Sequence, residues 1–114
     1  KNFATYKGAI YENIVADMLV KQGYNLFYYK NEKSTIEMDF FVRNSSGLIP
    51  IEVKASDNAT ASLNKLIDSD KYPDVSFGIK LCNKNIGFNG KFYTLPYFLT
   101  FLLKRWLKEM NVLC

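Results

Sequence analysis

Two acidic residues and a lysine stand out by type and spacing: Asp39, and thirteen positions later Glu52, which opens Glu52-Val53-Lys54 at the end of an apolar run. Carboxylates suit hard divalent cations, and an ammonium beside them suits charge that builds on a phosphate. The flanking sequence says how they would meet. Ile36 to Val42 and Ile49 to Ala55 both alternate in character and flank Asn44-Ser45-Ser46-Gly47, a turn-forming cluster, which is the pattern of a β-hairpin. With the turn centred there, Asp39 falls opposite Glu52 and Glu37 opposite Lys54, while Met38, Phe40 and Val42 face Val53, Ile51 and Ile49 on the other side of the sheet. One face is expected to be apolar and the other ionic. Directly opposed like charges destabilise a strand pair, forfeiting the roughly 0.2 to 1 kcal/mol that an opposite-charge pair would contribute. A divalent cation would turn that repulsion into a binding site. The competing reading is a solvated face on which Glu37 and Lys54 make an ordinary ion pair worth about 0 to 1 kcal/mol.

The elements that must position these residues follow from periodicity. From Tyr6 to Gln22, Ala9, Ile10, Ile14, Met18 and Leu19 recur at helical spacing, and Gly23 stands where a left-handed cap is expected. Asp17 and Lys21 form a favourable i,i+4 pair on this helix. Aromatic-rich Tyr24 to Lys30 predicts a strand leading into the hairpin, giving three antiparallel strands. Ser56-Asp57-Asn58 can cap a second helix over Thr60 to Asp68, whose Leu63, Leu66 and Ile67 make one apolar face, and Pro73 closes that passage. Val75 to Leu81 is the next strand. A strand-helix-strand unit of this length normally crosses to a parallel neighbour, so the sheet is expected to be mixed. After the Asn83-Lys84-Asn85 turn, Ile86 to Leu95 predicts one or two short strands broken at Asn89-Gly90, and Pro96 opens a final helix through Met110. On that helix Phe98, Phe101, Leu102 and Trp106 read as core or protein interface, with Lys104, Arg105 and Lys108 keeping the other side wet.

Composition narrows the chemistry. The 114 residues, 48% of them hydrophobic, suit one α/β domain over 1–114 that buries about two-thirds of its unfolded surface. A net charge of +4 favours an anionic partner. The chain has no histidine, which excludes Ser-His-Asp triads, histidine general bases and histidine-containing zinc sites. Cys82 and Cys114 are too few for a structural zinc site or a disulfide scaffold, and fit a cytoplasmic protein with reduced thiols. The apolar stretch Leu95 to Leu103 ends at Lys104-Arg105, well short of the roughly 20 residues that span a bilayer, so no membrane partner is expected. No glycine-rich phosphate loop is present, which places any nucleotide hydrolysis elsewhere.

An α-β-β-β-α-β order with Asp39 on the second strand and Glu52-Val53-Lys54 on the third resembles the PD-(D/E)XK nuclease superfamily, the restriction-endonuclease-like fold. More narrowly, Gly8-Ala9-Ile10-Tyr11-Glu12-Asn13, Glu37-Met38-Asp39-Phe40, Ile49-Pro50-Ile51-Glu52-Val53-Lys54-Ala55 and Tyr93-Thr94-Leu95-Pro96-Tyr97-Phe98 are similar to the uncharacterised nuclease-like domain found C-terminal to AAA-type ATPase modules in bacteria and archaea. Met38 stands where the superfamily name has proline. The resemblance implies a mixed sheet flanked by helices, with a C-terminal helix. It also implies Mg²⁺ or Mn²⁺ held by Asp39, Glu52 and the Val53 carbonyl, with Lys54 beside the attacking water and Glu12 from the first helix holding a metal-bound water. Glu37 would support Lys54, and Lys30, Lys33, Ser62 and Lys65 are candidate nucleic-acid contacts. The expected partners are DNA and an AAA-type ATPase module in the same chain, with self-association open. Because the first residue is Lys1, the domain is expected to be the C-terminal part of a longer ATPase-containing polypeptide. The expected activity is divalent-metal-dependent cleavage of DNA phosphodiester bonds. The alternative is a catalytically idle DNA- or protein-binding accessory domain.

Overall fold

Helix α1 (Phe3–Lys21) stops where Gly23 adopts a φ of 92°. There the Gly23 N–H donates to the Val20 carbonyl at 2.9 Å and the Tyr24 N–H to the Leu19 carbonyl at 3.2 Å, the paired bonds of a Schellman cap. The computed structural model describes residues 3–30, 37–44, 47–54 and 61–113, with side chains over 9–26, 40–44, 47–54 and 63–109. The remaining elements are β1 (Phe27–Lys30), β2 (Glu37–Asn44), β3 (Gly47–Val53), α2 (Ala61–Asp68), β4 (Gly78–Cys82), β5 (Gly87–Phe88), β6 (Phe92–Pro96), a 3-10 turn (Tyr97–Leu102) and α3 (Leu103–Leu113). This is the expected α-β-β-β-α-β order, followed by a strand pair and a C-terminal helix. The predicted caps Ser56, Asp57 and Asn58 lie outside the described residues, as does Lys33.

The strands form one six-stranded sheet in the order β1-β2-β3-β4-β6-β5. β1, β2 and β3 are antiparallel, β4 runs parallel to β3, β6 parallel to β4, and β5 antiparallel to β6. The mixed sheet is therefore as expected. In the hairpin, Phe40 pairs with Ile51, Val42 with Ile49 and Asn44 with Gly47, the register that a turn centred on Ser45-Ser46 dictates. Gly47 has a φ of 127°, and a Cβ there would collide with the Asp74 carbonyl oxygen, which accepts from the Leu48 N–H at 3.1 Å. Glycine is required on both counts.

Alternation along the strands builds two cores. Phe40, Val42, Ile49, Ile51, Ile79, Leu81 and Leu95 face α1 and α3, where Val15, Leu19, Leu103 and Leu107 complete the larger cluster. Phe41 and Phe92 face the other way and pack against Leu63 and Leu66 of α2. Pro50 is buried on that side too, with its ring near Gly78. The face expected to be ionic is thus half apolar and covered by α2, because the crossover helix needs something to pack on.

Two helical stripes differ from expectation. On α1 the buried residues are Val15 and Leu19, while Ile10 and Ile14 are 42% and 50% exposed. After β6, Tyr97, Thr100, Leu103 and Leu107 turn inward, and Phe98, Phe101 and Leu102 stay exposed. Trp106 is half-buried, edge-on to Tyr93 with ring centres 4.9 Å apart. Both segments carry apolar residues on more than one side, so spacing alone selects the wrong stripe on α1 and, after β6, exposure removes the core alternative for Phe98, Phe101 and Leu102 while leaving the interface one. Pro96 ends β6 with a φ of −68° and a ψ of 150° rather than entering the helix. Expected side-chain roles aside, the predicted Tyr24 to Lys30 strand shortens to β1, because the α1 cap consumes its first residues.

Candidate functional site

Glu52 and Lys54 leave β3 at the end where the parallel strands β4 and β6 also finish, and the Lys54 N–H extends the ladder by donating to the Leu81 carbonyl at 2.9 Å. Ligand sites of open α/β sheets gather at such carboxyl ends. The Lys54 Nζ lies 3.2 Å from Glu52 Oε1. Glu52 is only 5% exposed while the Lys54 side chain is 31% exposed, so an interior carboxylate is joined to a cation that reaches the surface. The solvated-face reading fails for Glu52. The described contact of Lys54 runs along one strand, to a residue two positions away; the expected Glu37–Lys54 pairing involves a side chain outside the described residues.

The described hairpin pairs end at Phe40 and Ile51. One further step in the same register sets position 39 across from Glu52, and three steps set 37 across from 54. The side chains of Asp39 and Glu37 lie outside the described residues. Val53 is half-buried and in register with Leu81.

Glu12 arrives differently. Its neighbour Tyr11 stacks on Tyr97, with ring centres 4.5 Å apart, and Tyr97 follows the last residue of β6, so this turn of α1 reaches the same end of the sheet. Yet α1 packs on the Ile51 face, whereas Glu52 emerges with Pro50 on the α2 face. Glu12 is half-buried and could meet Glu52 only around the strand ends.

Lys80 is the residue that sequence reasoning missed. It is 5% exposed, sits in register with Glu52 on the adjoining parallel strand, and has Thr94 as its partner on β6. Glu52, Lys80 and Thr94 therefore form one polar row across three strands on the α2 face. The signal was a single charged residue inside the apolar run Phe77-Gly78-Ile79-Lys80-Leu81: lysine is almost never fully buried without a counter-charge.

The other candidate contacts are dispersed. Lys65 is on the exposed side of α2. Ser62 is in α2, and Lys30 ends β1 in register with Glu37, their side chains outside the described set. An apolar groove of about 340 Å³, lined by Ile86, Leu95, Leu99, Leu102, Arg105 and Trp106, opens on the α3 side and does not include the Glu52-Lys80-Thr94 row. Among the described residues there is no group of three or more acidic or cysteine side chains able to hold a metal, and no helix is long and apolar enough to cross a membrane.

Together these features define a mixed α/β domain with a buried carboxylate, paired with Lys54 near the carboxyl end of β3 and in register with a buried lysine on β4. Residues 7–99 match the family described as a domain of unknown function, DUF4143. The chain belongs to that family. No curated protein and no solved structure shows significant similarity to it.

Proposed function

We propose that this is a PD-(D/E)XK-type nuclease-like domain that cleaves DNA phosphodiester bonds with a divalent cation. The observation that carries the reading is the interior Glu52 carboxylate, 3.2 Å from the Lys54 ammonium, at a strand end whose hairpin register brings position 39 alongside. The donor set fits Mg²⁺ or Mn²⁺, since carboxylates at 39 and 52 and the Val53 carbonyl are all hard oxygen ligands. Such an ion, when bound, polarises the phosphate and makes its attacking water more acidic. The chain's own residues do the rest. Glu52 and Asp39 supply fixed negative charge, Lys54 turns from Glu52 towards the phosphate oxygens to stabilise charge developing there, and Glu12 orients water from the α1 side. Glu37 steadies Lys54. Lys30, Lys33, Ser62 and Lys65 contact the nucleic-acid backbone, helped by the net charge of +4.

The test is incubation with single-stranded, duplex and branched DNA in Mg²⁺ or Mn²⁺. Cleavage that disappears in Asp39→Ala and Lys54→Ala supports the reading; absence of cleavage with every substrate and metal refutes it.

A second reading is an idle accessory module serving an AAA-type ATPase in the same cytoplasmic polypeptide. Two observations favour it: lysines already flank Glu52, and the aromatic side chains of Phe98 and Phe101 are 68% and 57% exposed, suited to a protein contact. Salt-dependent DNA binding without turnover, or a stable complex with the ATPase half and no DNA affinity, identifies which form of this module is present.

A further inference from the structure

From Val75 to Lys108 the chain carries Lys80, Lys84, Lys91, Lys104, Arg105 and Lys108 and not one acidic residue. The apolar groove on the α3 side is built from this stretch, with Glu109 at its end. Leu95 comes from β6, Leu99 and Leu102 from the 3-10 turn and Trp106 from α3, while Ile86, one register step beyond the Gly87–Thr94 pair, closes the sheet edge beside Leu95. Its volume of about 340 Å³ falls within the roughly 300 to 1,000 Å³ of concave binding sites. The wall is set before anything binds. Trp106 stands edge-on to Tyr93 with ring centres 4.9 Å apart, and Tyr93 stacks on Phe88 at 4.3 Å. Ile86 and Leu102 are exposed, as are Phe98 and Phe101 on the same 3-10 turn, so the apolar area continues past the rim.

Shape and charge together select an occupant. A concavity is filled by something convex, such as a helix with protruding side chains, whereas a flat bilayer covers only the rim. Nucleic-acid bases need open aromatic faces along a cationic track, and this lining is aliphatic apart from Trp106, whose ring already meets Tyr93. A second copy would set the same basic stretch against itself across a two-fold axis, which like charge disfavours. An acidic partner meets the opposite condition. Arg105 engages Glu109 through Nε at 3.2 Å, with both side chains exposed, a surface i,i+4 pair that an incoming carboxylate displaces at little cost. The guanidinium fork carries further N–H donors to receive it.

We propose that the groove is the docking site for an acidic amphipathic helix of a partner protein. Its apolar side chains lie between Ile86, Leu99, Leu102 and Trp106, and its carboxylates face Arg105, Lys84 and Lys108. Helices seat in such grooves through apolar residues at i, i+3, i+4 and i+7. Neither Glu52 nor Lys54 lines the groove, so the inference goes beyond the cleavage reading, and the cleavage assay and the groove test fail separately.

Trp106 is the chain's only tryptophan and lines the groove, so its fluorescence reports occupancy. The probes are three stapled helical peptides without tryptophan, with leucine at i, i+3, i+4 and i+7 and either glutamate, glutamine or lysine at the polar positions. The glutamate peptide should shift Trp106 emission to saturation with a Kd about tenfold or more below that of the glutamine peptide, and the lysine peptide should bind weakest. Arg105→Glu and Leu102→Gln should each weaken the glutamate peptide about tenfold. Both side chains are exposed, so Tm should stay within about 4 °C of wild type. The peptide comparison is made on wild-type protein and decides the matter even where a substitution disturbs folding. No response of Trp106 to the glutamate peptide, or equal affinity for all three, overturns the proposal. So does a dimer in sedimentation equilibrium that Leu102→Gln dissolves, or a stronger Trp106 response to phosphatidylglycerol vesicles or a single-stranded oligonucleotide than to the glutamate peptide, since each gives the groove another occupant.

Discussion

Replacing Gly78 with alanine probes how closely α2 sits on the sheet. A Cβ at this position would lie 2.6 Å from Leu63 Cδ1, 3.2 Å from Ile67 Cδ1 and 3.3 Å from Pro50 Cγ. Leu63 is wholly buried, so its methyl has no empty space to enter, and the added carbon must push the helix or force a rotamer. Overpacking of this kind costs about 1 to 3 kcal/mol. Gly78 is not among the glycines with positive φ, so alanine keeps its usual advantage of about 0.4 to 1 kcal/mol from a less flexible unfolded chain. The net is a loss of about 1 to 2 kcal/mol, or roughly 5 to 10 °C in Tm for a domain of this size. Differential scanning calorimetry measures it directly. Leu63→Ala alone should cost about 2 to 5 kcal/mol, and the double variant should lose less than the sum because the vacated space accepts the methyl. An unchanged or higher Tm in Gly78→Ala would show slack between α2 and β4 and refute the close approach.

Val15→Asp, which buries a charge in the larger core, should abolish cooperative unfolding in circular dichroism, whereas Ile14→Asp should stay within about 0.5 kcal/mol of wild type. Tyr97 is pushed up to about 12, first by burial and then by Cys82 and Tyr11. Its proton therefore leaves the unfolded chain more readily, and stability that is full below pH 10 should fall as pH rises from 10 towards 12. In Tyr97→Phe, melts over that range should lose this component of the decline. At neutral pH the same variant should be neutral or stabilised by about 1 kcal/mol, since the Tyr97 hydroxyl is buried with no hydrogen-bond partner among the described residues. Gln22→Ala should cost about 1 to 3 kcal/mol in urea unfolding through two lost long-range bonds.

The hairpin was the most legible part of the chain, because the turn-forming cluster Asn44 to Gly47 with alternation on both sides leaves a single register that buries Phe40, Val42, Ile49 and Ile51. Gly23 was legible for a similar reason: its backbone conformation excludes most alternatives. Helix faces were not. Ile10, Ile14, Val15, Met18, Leu19 and Val20 wrap around α1, and only the arrival of Tyr97 and Thr100 decides which of them is covered. Lys80 escaped notice because its meaning depends on a parallel partner 28 positions earlier, and pairing at that distance leaves no local pattern. The Glu52–Lys54 contact was likewise hidden by the assumption that charges pair across strands.

Gln22 binds the Thr100 carbonyl at 2.7 Å through its amide and accepts from the Lys104 N–H at 3.0 Å, while its own carbonyl receives the Lys104 ammonium at 2.9 Å. A residue near the start of the domain is thereby clasped to one near its finish. Clipping away the closing helix would also loosen the opening one, so engineered truncations should lose both together, and any fusion partner must leave this clasp shut.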